Sequence, residues 1–338
     1  MLLAVLLTLW TEPATYARAC EVQPIQWMEF FAGKAEATKM FRSHQFRTGR
    51  LDINYMQPKP NGMNPMDLCS DAGMGLAISS VLLGDYVNGW VAHFGLKCST
   101  FSTMNCGTSG RTPCTPCGNW EFPSVLEGNL LASRVILLLC LAVCVNATIL
   151  LEQPSNSLLE YYPRFRDFLQ MLMNIGGSNA VHRIDWWMAL YGGPTPKRHF
   201  CYSNSPGIAR LNLGQLRSWT QKIRAVDAAG GDRVRTVQKY HDKQGRLRYK
   251  GAAGLKPSEN YPPGFGEKLV KIFQELITLK QGMPTLPDPV PDAKDFFSSM
   301  SYDDNWQDAD VVSVVHWLRG GRDLAIPEEW RKLLPEKL

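Results

Sequence analysis

No internal repeat runs through the 338-residue chain, which excludes solenoids and propellers. Charge is sparse: charged residues make up 20% against 45% apolar. That balance suits a packed core and argues against global disorder. The length accommodates one large α/β domain plus a smaller lobe. A disulfide framework is missing too. Nine cysteines at irregular spacing are an odd set, so a reducing compartment, nuclear or cytoplasmic, is expected. Cys106, Cys114 and Cys117 include one Cys-x2-Cys pair, but no second pair follows to complete a zinc site. No basic residue precedes the apolar run at residues 1–10, so it lacks the charged start of a signal peptide, although Ala17-Arg18-Ala19 resembles a cleavage site. The apolar stretch at 135–151 has only 17 residues and contains Asn146 and Thr148, marginal for a membrane span. It reads better as a buried helix to about residue 143 running into a buried strand at 147–151.

The charge that is present is unevenly placed. Residues 205–256 hold twelve Lys/Arg against three Asp, a formal +9, while the whole chain carries +5. The remainder is therefore about −4. A basic island on a slightly acidic body is the footprint of a polyanion-binding lobe, with a solvated surface stretch as the plainer alternative.

Strand and helix signals alternate along residues 27–203. Strands are expected at 27–31, 51–54, 89–94, 147–151, 180–186 and 199–203. Helices are expected at 35–46, at 71–83 with Ser70 as cap, at 125–143 and at 163–175. Such alternation implies βαβ units and a mainly parallel sheet, whose ligands sit beyond the carboxyl ends of the strands. The basic island has another rhythm. Residues 236–240 and 246–250 alternate around Asp242-Lys243-Gln244-Gly245, the pattern of a hairpin outside the parallel sheet. An amphipathic helix at 264–279 follows.

Several strand-end segments carry chemistry. Phe31-Ala32-Gly33 ends the first strand at a turn where glycine lets a cofactor approach the backbone. Asp52, near the end of the second strand, can accept from both hydroxyls of a ribose. Gly95-Leu96-Lys97-Cys98-Ser99-Thr100-Phe101-Ser102 opens a polar loop after the third strand, which puts Cys98 at the mouth of the site. The fourth strand ends at Glu152-Gln153-Pro154. Thr195, Lys197 and His199 follow, and then Asn260-Tyr261-Pro262-Pro263 before the last helix.

In order and spacing these segments resemble the cytosine-5 methyltransferase family over about residues 27 to 279. Phe31-Ala32-Gly33 matches that family's Phe-x-Gly strand end. Gly95 to Ser102 matches its Gly-x-Pro-Cys-Gln-x-Phe-Ser loop at Gly, Cys, Phe and Ser. Glu152 matches the Glu of its Glu-Asn-Val motif. Thr195, Lys197 and His199 occupy the positions of its Gln-x-Arg-x-Arg. Lys97 and Ser99 replace the family's Pro and Gln, and Gln-Pro follows Glu152 in place of Asn-Val. The resemblance implies a Rossmann-like S-adenosylmethionine-dependent methyltransferase fold with a mainly parallel sheet and a small inserted basic lobe. It divides the chain into an N-terminal extension at 1–26, a catalytic core at 27–204, a recognition-like lobe at 205–258, a returning helix at 259–282 and a C-terminal extension at 283–338.

The resemblance also implies roles. S-adenosyl-L-methionine is the cofactor, held by Phe31, Ala32, Gly33, Asp52, Asp67 and Asn260. Cys98 is the nucleophile that adds to C6 of cytosine. Glu152, with a raised pKa, holds or protonates N3, while Lys197 and His199 orient the base or the Glu. Lys97 is a candidate for lowering the thiol's pKa, and the loop at 99–122 a candidate lid. DNA or RNA is the partner expected through residues 205–256. No obligate protein partner is evident and a membrane is not expected. The alternative is a catalytically silent relative that binds nucleic acid or serves as a scaffold.

Overall fold

Four strands run parallel through the middle of the molecule: β1 (Trp27–Phe30), β2 (Thr48–Leu51), β3 (Trp90–Phe94) and β4 (Ala147–Pro154). Every residue of β1 and β3 is buried, as is β4 up to Gln153; such mostly apolar runs are what a sheet covered on both faces requires. Two further strands, β5 (His182–Trp187) and β6 (Arg198–Ser203), complete a six-stranded sheet in the order β2-β1-β3-β4-β6-β5. β6 runs antiparallel to both of its neighbours, β4 and β5, and so against the other five strands. The architecture is therefore α/β with a mainly parallel, Rossmann-like sheet. Successive crossovers leave β1 in opposite directions, so a topological switch point lies between β1 and β3, where such sheets bind ligands.

The computed structural model describes residues 23–56, 64–228, 234, 236–251, 254–255 and 257–282. The chain divides into two compact units, Met1–Pro284 and Thr285–Leu338, and all described residues belong to the first. The apolar run at 1–10, Ala17-Arg18-Ala19 and the C-terminal extension at 283–338 lie outside them.

Helices cover both faces of the sheet. On one face Met28, Phe30, Ala92, Phe94, Ile149 and Leu151 pack under α2 (Asp71–Leu82), α3 (Pro123–Cys144) and α4 (Pro163–Gly176). Ser70 caps α2 by accepting from the Gly73 amide at 2.9 Å, as its sequence suggested. α3 is long and apolar enough to cross a membrane by length and composition, yet 56% of its most apolar window is buried within the protein. On the other face Trp27, Val91, Leu150 and Cys201 meet α1 (Glu36–Ser43) and α6 (Pro263–Thr278). Trp27 and Phe41 stack at 4.0 Å; truncating a fully buried Phe41 to Ala costs about 3–5 kcal/mol. Strand alternation places Glu29, His93, Glu152 and His199 on this second face as well, all four buried.

Two elements differ from the sequence expectation. β2 spans Thr48–Leu51, three residues earlier than its apolar residues suggested, because the pairing of Trp27 with Thr48 sets its register. Asp52 therefore follows the strand and caps a single turn, Ile53–Tyr55. The basic segment contains a helix the sequence did not reveal, α5 (Trp219–Ala228). The expected hairpin forms as β7 (Val237–His241) and β8 (Leu247–Gly251), a two-stranded sheet of its own.

Candidate active site at the carboxyl ends of the strands

The turn after β1 is shaped by left-handed residues. Phe31, Gly33 and Ala35 have φ of 59°, 53° and 54°, and non-glycine residues adopt such angles only where surrounding structure compels them. The Ala32 amide donates to Leu51 O at 3.1 Å, and the Gly33 amide to Asp52 Oδ2 at 2.8 Å. No heavy atom lies within 4 Å of where a Gly33 Cβ would stand, so the turn faces open space. Asp52 Oδ1 accepts from both nitrogens of Asn54. Three of the carboxylate's about four lone-pair sites are thus used. Asp52 has room for one more donor, where the sequence suggested two ribose hydroxyls.

Gly95 is where β1, β3 and β4 converge. A Cβ there would lie 2.9 Å from Tyr261 Oη, 3.7 Å from Phe31 O and 3.9 Å from Glu152 Oε2, so only glycine lets the Cys98 loop leave the sheet this way. Gln153 Nε2 then donates to Leu96 O at 2.6 Å, and Cys98 O accepts from the amides of Phe101 and Ser102. Cys98 is half-buried. Burial pushes its thiol up; Lys197 opposes this, while Glu152 and Glu259 add to it. Lys97 does not assist: it pairs with Glu127 at 2.7 Å on the surface.

Glu152 is the centre of the buried polar cluster. His199 donates from Nδ1 to Glu152 Oε1, and Tyr261 donates from Oη to Oε2 at 2.7 Å. Burial alone would raise the carboxyl, but His199, Tyr261 and Lys197 outweigh it and hold Glu152 at about 2. The raised value that the resemblance implied is thereby corrected: the partners that fix this group also keep it ionised. His199 stacks on Trp186, and its Nε2 is buried without a hydrogen-bond partner among the described residues.

Two more titratable groups lie on the same face. Glu29 accepts from the amide and hydroxyl of Thr38 in the first turn of α1, yet burial raises it to about 7. His93 is its register partner on β3; burial lowers it to about 4 despite the Glu152 charge, so it is neutral. Neither Glu29 nor His93 was singled out from sequence, although an acid and an imidazole inside apolar strand runs are visible there. The roles of Tyr261 and Gln153 are not legible in the sequence, because contacts spanning 109 and 57 residues leave no local pattern.

Other assignments fare differently. Asp67 accepts from the Cys69 amide at 2.8 Å and so serves the turn that opens α2. Asn260 is half-buried beside Tyr261. The loop at 99–122 is not a free lid. Arg111, fully buried inside it, donates to Pro116 O, Asn129 Oδ1, Thr100 Oγ1 and Val125 O, with its guanidinium 3.9 Å from the Phe101 ring. Among the described residues no three of His, Cys, Asp and Glu gather to hold a metal ion.

The arrangement combines a thiol, an ionised carboxylate, an imidazole and a lysine at the ends of the strands, next to an open glycine turn. No family model matches the sequence, and no curated protein matches it. Among solved structures, the methyltransferase EhMeth of Entamoeba histolytica is similar at 15% identity with a TM-score of 0.32; the match covers 58% of this chain and 55% of that one. The match thus spans about half the length of that protein.

Proposed function

We propose that the chain is an S-adenosylmethionine-dependent methyltransferase acting on C5 of cytosine in nucleic acid through Cys98. The observation that carries this reading is the meeting of the Cys98 loop, Glu152 and Tyr261 at Gly95, directly beside the Phe31–Gly33 turn. The residues fit the cofactor. Gly33 faces open space, and Asp52 retains one acceptor site for a ribose hydroxyl. The bound cofactor would supply an electrophilic methyl group on a sulfonium.

The remaining work falls to the chain. The Cys98 thiolate forms an S–C6 bond with the ring, and the C5–C6 electron pair moves to C5, which becomes nucleophilic. Once C5 is substituted, loss of its proton to solvent restores the C5–C6 double bond and breaks the S–C6 bond, returning the electron pair to sulfur. Ionised Glu152 accepts from the exocyclic amino group and cannot donate to N3. Lys197 is the cation electrostatically coupled to both Cys98 and Glu152, and it counters charge on the ring. The target base leaves its stack to reach the thiol unless it is already unpaired. Residues 205–256 supply the contacts to phosphate.

The raised thiol and the occupied Glu152 also favour a second reading, a relative that binds cofactor and nucleic acid without turnover. Calorimetry with S-adenosylmethionine, followed by labelled methyl transfer to DNA and RNA, separates the two. Transfer by the wild type and none by Cys98→Ala is expected. Because burial raises the thiol, kcat/KM rises about tenfold per pH unit between about pH 7 and 8.5, following the thiolate fraction. Transfer that persists in Cys98→Ala ends the nucleophile assignment. Binding without transfer, and no adduct on 5-fluorocytosine, selects the second reading.

A further inference from the structure

The β7–β8 ribbon is exposed along nearly its whole length on both faces. It pairs with no strand of the main sheet, so its side chains are not explained by core packing. Residues 236–251 contain five Lys/Arg and one Asp, a formal +4. Register and alternation sort them. Gln238, Tyr240 and Asp242 share one face with Lys250, Arg248 and Arg246.

That face is ordered from within. Asp242 Oδ2 accepts from Nε of both Arg246 and Arg248, at 3.1 and 3.0 Å. The shared carboxylate fixes the two arginines at one end, and the terminal nitrogens of Arg248 have no hydrogen-bond partner among the described residues. Arg248 stands directly across from Tyr240, and Lys250 Nζ lies 5.6 Å from the Tyr240 ring centroid. Tyr240 is 43% exposed. An aromatic ring flanked by cations with free donors matches a planar base bracketed by phosphates.

We propose that this face binds unpaired nucleic-acid strands, with Tyr240 as the platform for one base and Arg248 and Lys250 as contacts to the adjoining phosphates. A duplex offers its base edges and phosphates but keeps its base faces stacked, so it cannot use the ring. A single strand can use both ring and cations. The opposite face has a weaker version, with Tyr249 under Lys239 at 5.8 Å and no comparable arginine pair. The inference rests on the nucleic-acid reading of the basic segment and not on methyl transfer.

The test is anisotropy of labelled oligonucleotides of one sequence, as single-stranded DNA, single-stranded RNA and duplex DNA, with the full-length chain. Either single strand is expected to bind at least about tenfold more tightly than the duplex, and the two single-stranded arms separate ribose from deoxyribose preference. Tyr240→Ala loses about tenfold or more, Tyr240→Phe keeps its affinity because stacking needs no hydroxyl, and Tyr249→Ala loses less than Tyr240→Ala. Arg248→Gln flattens the salt dependence by about one phosphate. Equal or tighter duplex binding overturns the proposal, as does wild-type affinity in Tyr240→Ala. So does Tyr240→Phe binding as weakly as Tyr240→Ala. If none of the three nucleic acids binds, the reading of the basic segment itself fails. Loss of methyl transfer alone touches neither result, because the assay reads affinity and no turnover.

Discussion

Two buried carboxylates on one face of the sheet are perturbed in opposite directions, and their pH signatures differ. Glu152 sits at about 2 against an ordinary 4.5, so its ionised form is favoured by folding. The stability it supplies is present above pH 4.5 and is lost as pH falls towards 2. Tyr261→Phe removes one charge-assisted hydrogen bond, a loss of about 1.5–3 kcal/mol. The advantage of the wild type over Tyr261→Phe should therefore shrink between pH 4.5 and 2. Glu29 behaves conversely. Its folded value of about 7 means that folding favours the protonated acid, so stability present at pH 4.5 is lost as pH rises through 7. Glu29→Gln mimics the protonated group at every pH. Melting temperatures of wild type and Glu29→Gln should be similar near pH 4.5, separate in favour of the variant as pH rises to about 7, and keep a constant gap above it. Parallel curves across this range would show that Glu29 is already ionised in the folded protein.

At the scale of elements, the segment after Cys98 is held by one side chain. Arg111 spreads its guanidinium over backbone and side-chain oxygens from Thr100, Pro116, Val125 and Asn129, joining both ends of the loop to the start of α3. Lysine has no planar fork with which to reach several acceptors. Arg111→Lys and Arg111→Met should each destabilise the protein by about 2–4 kcal/mol and expose residues 103–120 to protease. Unchanged cleavage kinetics in both variants would return the loop to the role of a free lid.

That latch also shows where sequence reading stops. β1, β3 and β4 were legible because a strand buried on both faces must be mostly apolar, and each ends in a polar or glycine-containing segment. The cap of α2 was legible because Ser70 acts within three residues. Thr48-Gly49-Arg50-Leu51 has no such signature; its strand exists because β1 offers an edge to pair with. Arg111 looks like any loop arginine until four oxygens are seen around it. Cys98 and Glu152 stand out in the sequence only through the order of the segments that resemble the methyltransferase family, and the ionisation of Glu152 depends on His199 and Tyr261, which only the folded chain brings to it.

For the whole molecule the relevant quantity is charge distribution, not net charge. The basic segment carries +9 and the rest about −4, yet not all of its cations are free. Arg210 pairs with Glu275 at 3.0 Å, and Lys222 lies over the Trp187 ring at 4.7 Å. Both tie the segment to the core. The ribbon is different: β7 and β8 bond only to each other in the sheet topology, and a two-stranded hairpin adds little stability to a fold it does not pack on. Replacing residues 237–251 by a short Gly-Ser linker should therefore leave the melting temperature almost unchanged. It should remove five cations from any polyanion contact. At about 0.7 per phosphate for single strands, the slope of log K against log salt should flatten by at most about 3.5. If the slope is unchanged, the attraction comes from the cations nearer the core, such as Arg217 and Arg224. If melting falls steeply, the ribbon is part of the folded core and its exposed tyrosines need another account.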